Sequence, residues 1–328
     1  MIKRRDVSLG IGAGLLVAQR LGRGQVGPAP RRVGIMVTSS MAAGAHVIDA
    51  FKHGMRDLGW REGRDIEYRL VFAGGDMTRM DAMAIDLVSQ QVDVILVPHP
   101  PAAGAAQRAT KTIPVVMTNA SNAVANGLVA SLDRPGGNIT GITSQAEEVL
   151  GKLIGILHEV VPSARRMAIV LNETNKSHPA FWAAAQRVCA TLDLVALRVA
   201  ASAPAQLAAA VEQIVQQRAQ AVVVVSDGMY VGERARLQEL MQTTHLPVAY
   251  GLRDHVVVGG LLSYASDLES NYRYAAKFVD KILKGAKPAD LPVEQPTKFN
   301  LVINLRAAKS LGITIPPLVQ LRADEVIE

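Results

Sequence analysis

The chain has 328 residues, 49% of them hydrophobic and 20% charged, with a formal net charge of +6. That balance excludes disorder and supplies length enough for two domains, each with its own core. The single cysteine, Cys189, excludes an internal disulfide and any multi-cysteine metal site, and scattered positive charges with 4% aromatics argue against a nucleic-acid surface.

The chain begins "MIKRRDVSLGIGAGLLVAQRL". A charged start followed by a short apolar run is the pattern of an export signal, too short to span a bilayer as a mature helix. Arg4-Arg5 ahead of the run allow the twin-arginine route. Residues 1–30 are therefore expected to be an export segment and the mature chain periplasmic. "GIGAG" within it is no dinucleotide fingerprint, because no strand precedes it and its spacing is wrong.

From Arg31 onward, strand and helix patterns alternate. "RRVGIMV" (31–37) is a buried strand, and "AHVIDAFKHGMRDLG" (45–59) a helix with an apolar stripe ending at Gly59. "DIEYRLVFA" (65–73) is a strand, and the next helix is capped by Asp76 or Thr78. "VDVILVP" (92–98) reads as a central parallel strand; a short helix and "IPVVMTN" (113–119) follow. The pattern then starts again. "AEEVLGKLIGILHEVVP" (146–162) is a helix, "RRMAIVL" (165–171) repeats the first strand, and "AQAVVVVSD" (219–227) answers to the central one. Cys189 falls in a helical stretch, as a small core residue does.

One α/β unit thus occurs twice, too few copies for a solenoid. The expected fold is α/β with two Rossmann-like lobes built on parallel sheets. A single sheet of ten or so strands is the alternative. "RPGGNITGI" (134–142) ends the first unit, and "GGLLSYASD" (259–267) ends the second. A phosphate loop is excluded at the first, since no Lys-Ser/Thr follows Gly141. Asn138-Ile139-Thr140 matches a glycosylation acceptor, a match expected to be incidental. Gly136-Gly137 and Gly259-Gly260 are expected side by side at a hinge between lobes.

Ligands of open α/β sheets sit beyond the carboxyl ends of strands. The polar residues there are Ser39 and Ser40, His99 with Pro100, Asn119, Ser121 and Asn122 in the first unit. In the second they are Asn172, Asp227, Tyr250, Arg253 and Tyr264. This set can hydrogen-bond a small polar molecule, with Asp227 facing an ammonium group. Each also has a plainer role. Ser39, Ser40, Asn119 and Asp227 can cap helices, Tyr250 can be core and Arg253 can be a solvated cation. No nucleophile elbow and no metal-ligand spacing occurs, so neither catalysis, a metal nor a cofactor is expected.

The segments "FKHGMRDLGWREGRDIEYRL", "GLVASLDRPGGNITGI", "GLLSYASD" and "VDKILKGAKPADLPVEQPTKFNLVINLRAAKSLGITIPP", with the ending "RADEVIE", resemble ABC-transporter substrate-binding proteins of the tryptophan/tyrosine-uptake type. The resemblance runs over roughly residues 31–328. It implies a type I periplasmic binding protein-like fold whose lobes close on a ligand, with three crossings, the third near Lys298 to Asn304. It assigns residues 31–143 and about 267–290 to lobe one, and 144–266 and about 291–328 to lobe two. It further implies a monomeric receptor that delivers an amino acid or related small acid to a membrane permease. Two departures stand out: Asn122-Ala123 replaces the family's usual Asp-Pro, and His99-Pro100-Pro101 replaces a small hydroxyl. A ligand-sensing module of a regulator and a cleft enzyme are the competing functions. The first lacks a helix-turn-helix pattern here, and nothing in the sequence requires the second.

Overall fold

In the computed structural model, which describes residues 29–296 and 298–328, the chain opens with β1 (Arg31–Val37), α1 (Met41–Asp57), β2 (Ile66–Phe72), α2 (Met80–Ser89), β3 (Val94–Val97), α3 (Pro100–Ala109), β4 (Val115–Ser121) and β5 (Ile139–Ser144). The strands form one parallel sheet in the order β2-β1-β3-β4-β5. β3 is buried along its whole length, as expected where helices cover both faces of a sheet. In α1, Val47, Ile48, Phe51 and Met55 turn inward at helical spacing. Asp76, rather than Thr78, caps the turn leading to α2. The expected export segment lies outside the described residues, apart from Ala29 and Pro30.

The second unit comprises α4 (Ala146–Val160), β6 (Arg166–Leu171), α5 (His178–Thr191), β7 (Val195–Ala200), α6 (Leu207–Gln216), β8 (Ala221–Val224), α7 (Gly228–Gly232), α8 (Arg234–Gln242), β9 (Val248–Tyr250), α9 (Arg253–Val257) and β10 (Leu262–Ser266). Then come α10 (Leu268–Leu283), β11 (Phe299–Asn304), α11 (Leu305–Ser310), α12 (Pro317–Leu321) and β12 (Glu325–Ile327). The second sheet has the order β12-β11-β10-β9-β8-β6-β7. Among the described residues its one antiparallel pair is β10 with β11, a departure from the all-parallel expectation. The cause is topological. β11 re-enters the lobe from the cleft side, so it runs outward, as β12 beside it does, where the other strands run toward the cleft.

α10 follows the second unit in sequence but packs on the first. Trp60 Nε1–H donates to Asp280 Oδ1 at 2.9 Å. Gly54 in α1 admits α10, because a Cβ there would lie 2.5 Å from the Arg273 carbonyl oxygen. The first sheet therefore has a core on each face, one under α1 and α10 and one under α2 and α3. The second lobe has a continuous core of its own.

The chain crosses between lobes at Gln145, at Asp267 and between Glu294 and Phe299. The crossings are tied together: Gln145 Nε2 donates to Gln295 Oε1 at 2.9 Å, and Lys298 Nζ meets Asp267 Oδ2 at 2.8 Å. Burial would raise the Asp267 pKa, but hydrogen bonds from Lys298 and the Ser270 N–H, which Asp267 caps, hold it at about 2.

Two expectations are corrected here. Residues 291–294 lie with lobe one. Leu291 O accepts from Thr140 Oγ1, Val293 N–H donates to Leu132 O, and Glu294 pairs along Ile142 of β5. Their unpaired edge of the first sheet is covered by the nearest passing chain. The glycine pairs, moreover, are not a hinge. Gly136-Gly137 precede β5 and Gly259-Gly260 precede β10, at the ends of those strands remote from the crossings, in two different sheets. Gly136 (φ 76°) and Gly259 (φ 111°) turn the chain into the last strand of each unit. Gly260 also lets Tyr250 approach, since a Cβ there would lie 2.6 Å from its ring. Asn138 is structural: its Nδ2 donates to Ile113 O at 2.7 Å, beside the start of β4.

Candidate functional site

The carboxyl ends of the two sheets face each other across a cavity of about 110 Å³. Lobe one contributes Ser39 after β1, His99 and Pro100 after β3, and Asn119 and Ser121 at the end of β4. Lobe two contributes Asn175 after β6, and Ser226 and Asp227 after β8. A smaller recess of about 40 Å³ adjoins it, sharing Asn119, Phe181 and Leu252 and walled by Val149, Leu150 and Leu153. The wall of the cleft is mostly apolar, with a few polar side chains set into it.

Asp227 is the electrostatic centre. It stands in extended conformation just before α7, so its Oδ1 caps the Met229 N–H at 2.8 Å. Asn172 Nδ2 donates to Oδ1 at 3.2 Å and Asn175 Nδ2 to Oδ2 at 2.8 Å. His178 Nε2 lies 3.5 Å from Oδ2. The His178 Nδ1 accepts from the Asn172 N–H, so in the neutral ring the proton sits on Nε2, toward the carboxylate. Burial lowers the His178 pKa more than Asp227 raises it. The buried side chain is therefore well supplied with hydrogen bonds from uncharged donors and meets neither a lysine nor an arginine.

His99 faces it from the other lobe. Both of its ring nitrogens are buried without a partner. Burial lowers its pKa to about 4, against the opposing pull of Asp227. A Cβ on Gly228 would lie 2.7 Å from His99 Nε2, and one on Gly232 would lie 2.5 Å from Gly75 Cα. Hydrogen bonds also cross the cleft, from Asn126 Nδ2 to Ser177 Oγ at 3.0 Å and from Ser266 Oγ to Asn119 Oδ1 at 3.3 Å. The lobes are closed on each other, glycine against glycine at the rim.

Ser39, His99, Pro100, Asn119, Ser121 and Asp227 are brought together at the cavity. The other six expected residues stand elsewhere. Ser40 caps α1 through the Ala43 N–H. Asn122, in the left-handed region at φ 50°, donates to Glu147 Oε1. Asn172 stands behind Asp227 rather than at the cavity wall. Tyr250 is core, its hydroxyl donating to Gln238 Oε1 at 2.6 Å. Arg253 is an exposed partner of Glu325, a bidentate pair at 2.7 Å. Tyr264 stacks on Phe299 away from the cleft. His46, Phe181, Leu252, Asp254 and Tyr272 line the cavity without having been expected. His46 and Phe181 sit in the opening turns of α1 and α5, and helix starts lie at the same end as strand ends. That rule, applied one turn further, would have found them.

Two predictions follow from this placement. Arg253→Ala is expected to leave ligand affinity unchanged within about twofold, by titration calorimetry, because an exposed ion pair contributes about 0–1 kcal/mol and lies outside the cavity. The second concerns His255, which stacks on Tyr250 at 4.7 Å between centroids and whose pKa burial, with Arg234, lowers to about 3. The unfolded chain takes up this proton below the ordinary value of 6.5 while the folded chain resists until about 3. Stability is therefore full above pH 6.5 and falls as pH drops, by up to about 1.4 kcal/mol per unit. Denaturant unfolding of His255→Phe between pH 7 and 4 is expected to show a flatter profile; an unchanged slope contradicts this.

Two mainly parallel α/β lobes, three crossings and a closed interlobe cavity define a solute-binding protein of the type I periplasmic class. Comparison with known proteins agrees. The profile of the family described as ABC transporter substrate binding protein matches residues 32–327. The chain belongs to that family and is a solute-binding receptor. It is 23% identical over 263 residues to the tyrosine-binding protein of Clostridioides difficile (strain R20291), covering 80% of this chain and 75% of that one. Among solved structures, the ABC domain in complex with L-Trp from Streptococcus pneumonia superposes with a TM-score of 0.82 at 24% identity, covering 91% of this chain and all of that one. A ligand-free, open substrate binding protein with adhesive properties from Clostridium difficile gives 0.66 at 21% identity, covering 90% and 99%.

Among the described residues, no helix is long and apolar enough to cross a membrane, and no group of three His, Cys, Asp or Glu side chains is placed to hold a metal ion.

Proposed function

We propose that this protein is an exported, periplasmic receptor that closes on one small amine-bearing molecule and delivers it to an ABC permease without changing it. The carrying observation is the interlobe cavity lined by Asp227 and adjoined by a smaller recess with an apolar wall. A carboxylate that has donors but no counter-charge favours an ammonium group. The recess, walled by Val149, Leu150, Leu153 and Phe181, favours an apolar body attached to it. Amino acids combine both features, and the names of the relatives include tyrosine and L-Trp. In this reading the protein works as a monomer, its two lobes presenting one surface to the permease only when closed.

The test is a thermal-shift screen of purified protein against amino acids, amines, small acids and sugars at neutral pH. Amine-bearing compounds are expected to raise the melting temperature, as any ligand of the folded state does. Stabilisation by sugars or simple carboxylates alone would overturn the reading, and so would turnover of the compound that binds.

A further inference from the structure

Resting on that reading, we infer that the cleft selects a ligand of net positive charge: a small organic cation whose amine is held between His99 of lobe one and Asp227 of lobe two. The argument is a census of what could receive an anion. Among the described residues, the charged or titratable side chains lining the cavity are Asp227, Asp254, His46, His99 and Tyr272; neither a lysine nor an arginine lines it or the adjoining recess. Arg253, the nearest cation in sequence, is spent on Glu325. The wall thus holds two carboxyl groups from lobe two with neither a lysine nor an arginine facing them.

Backbone makes good only part of the deficit. Helix N-termini are the usual anion receivers in such clefts; α1, whose Ala43 and Gly44 line the cavity, has no acid in its first turn and gives its Ala43 N–H to Ser40, but three others are ill suited. α3 begins Pro100-Pro101, so its first two positions have no N–H to offer. α4 carries Glu147 and Glu148 in its first turn. α10 is capped by Asp267 and carries Glu269. A carboxylate on the ligand would meet acids at two of these starts and missing donors at the third.

His99 supplies the complementary half. Its two ring nitrogens have no partner among protein groups, although closure has buried them. A neutral imidazole has one acceptor nitrogen, and a buried acceptor left empty is destabilising. An ammonium group, with three donors, can satisfy that nitrogen and face Asp227 at once. The ligand would then bond both lobes through one atom, which couples closure to the presence of the amine.

Titration calorimetry on the intact protein at pH 7.5 tests this with two charge series of matched shape. One is tryptophanamide, tryptophan and indole-3-propionate; the other is lysine, norleucine and hexanoate. The expected result is that the cation of at least one series binds ten-fold or more tighter than its zwitterion, and that neither anion binds. Asp227→Asn and, separately, Asp254→Asn should shrink that ratio toward one, and Asp254→Asn does so without touching the hydrogen bonds that hold Asp227. A zwitterion that binds as tightly as its cation overturns the inference while leaving the receptor reading intact. So does a charge ranking that survives both substitutions. If no cation of either series binds, the inference is also overturned, and the receptor reading is then decided by the wider screen.

Discussion

Gly232→Leu is expected to weaken ligand binding by about 100-fold while leaving the fold intact. Gly232 ends α7 at the rim of lobe two, where a Cβ would lie 2.5 Å from Gly75 Cα across the cleft. That neighbour is backbone in a positive-φ turn (φ 90°), so it cannot rotate aside as a side chain could. Overpacking of this kind costs about 1–3 kcal/mol, and it is imposed only on the closed state, so it appears in affinity. Gly228→Leu, which would press on His99 and Met77, should act in the same direction and less strongly, because both neighbours are side chains. Calorimetry reads the affinity and thermal unfolding reads the fold. An unligated melting temperature near that of the wild type, with affinity lost, is the expected pair of results. Unchanged affinity would mean that the ligand does not need this closed form.

Asp227→Ala should harm both stability and binding. Its carboxylate accepts from Asn172, Asn175 and the Met229 N–H, all buried. Truncation strands these three donors. Buried donors left without acceptors cost about 1–3 kcal/mol each, and the asparagine side chains can turn toward water entering the gap. The expected loss is about 3–5 kcal/mol of unfolding free energy, measured by denaturant titration. Affinity should fall by a further 1–3 kcal/mol, the worth of a charge-assisted bond. Asp227→Asn separates the two effects, since an amide keeps one acceptor and loses the charge. If Asp227→Ala unfolds like the wild type, Asp227 is not the hub described here.

Much of the architecture was legible in the sequence because parallel α/β units announce themselves locally. β1 coincides with its expected span, and the repeated Arg-Arg starts of β1 and β6 mark equivalent strands. What could not be read locally was direction and pairing. "FNLVIN" alternates as a strand does, but nothing in it says that β11 runs antiparallel to β10. Glycine pairs signal positive φ without saying which end of a strand they serve, so Gly136 and Gly259 were placed at the wrong ends. At the site, the strand-end rule found His99, Asn119 and Asp227. It failed where a distant segment intervenes: Arg253 is claimed by Glu325, a residue 72 positions away. It failed also at Tyr264, two residues short of the end of β10, where Ser266 reaches the recess instead.

Small-angle X-ray scattering of the wild-type protein, with and without the compound that most raises its melting temperature, tests the central claim most directly. The account predicts a smaller radius of gyration on saturation, with a profile fitted by the closed form in which Gly75 meets Gly232. Identical profiles, with binding confirmed by calorimetry on the same sample, would contradict it.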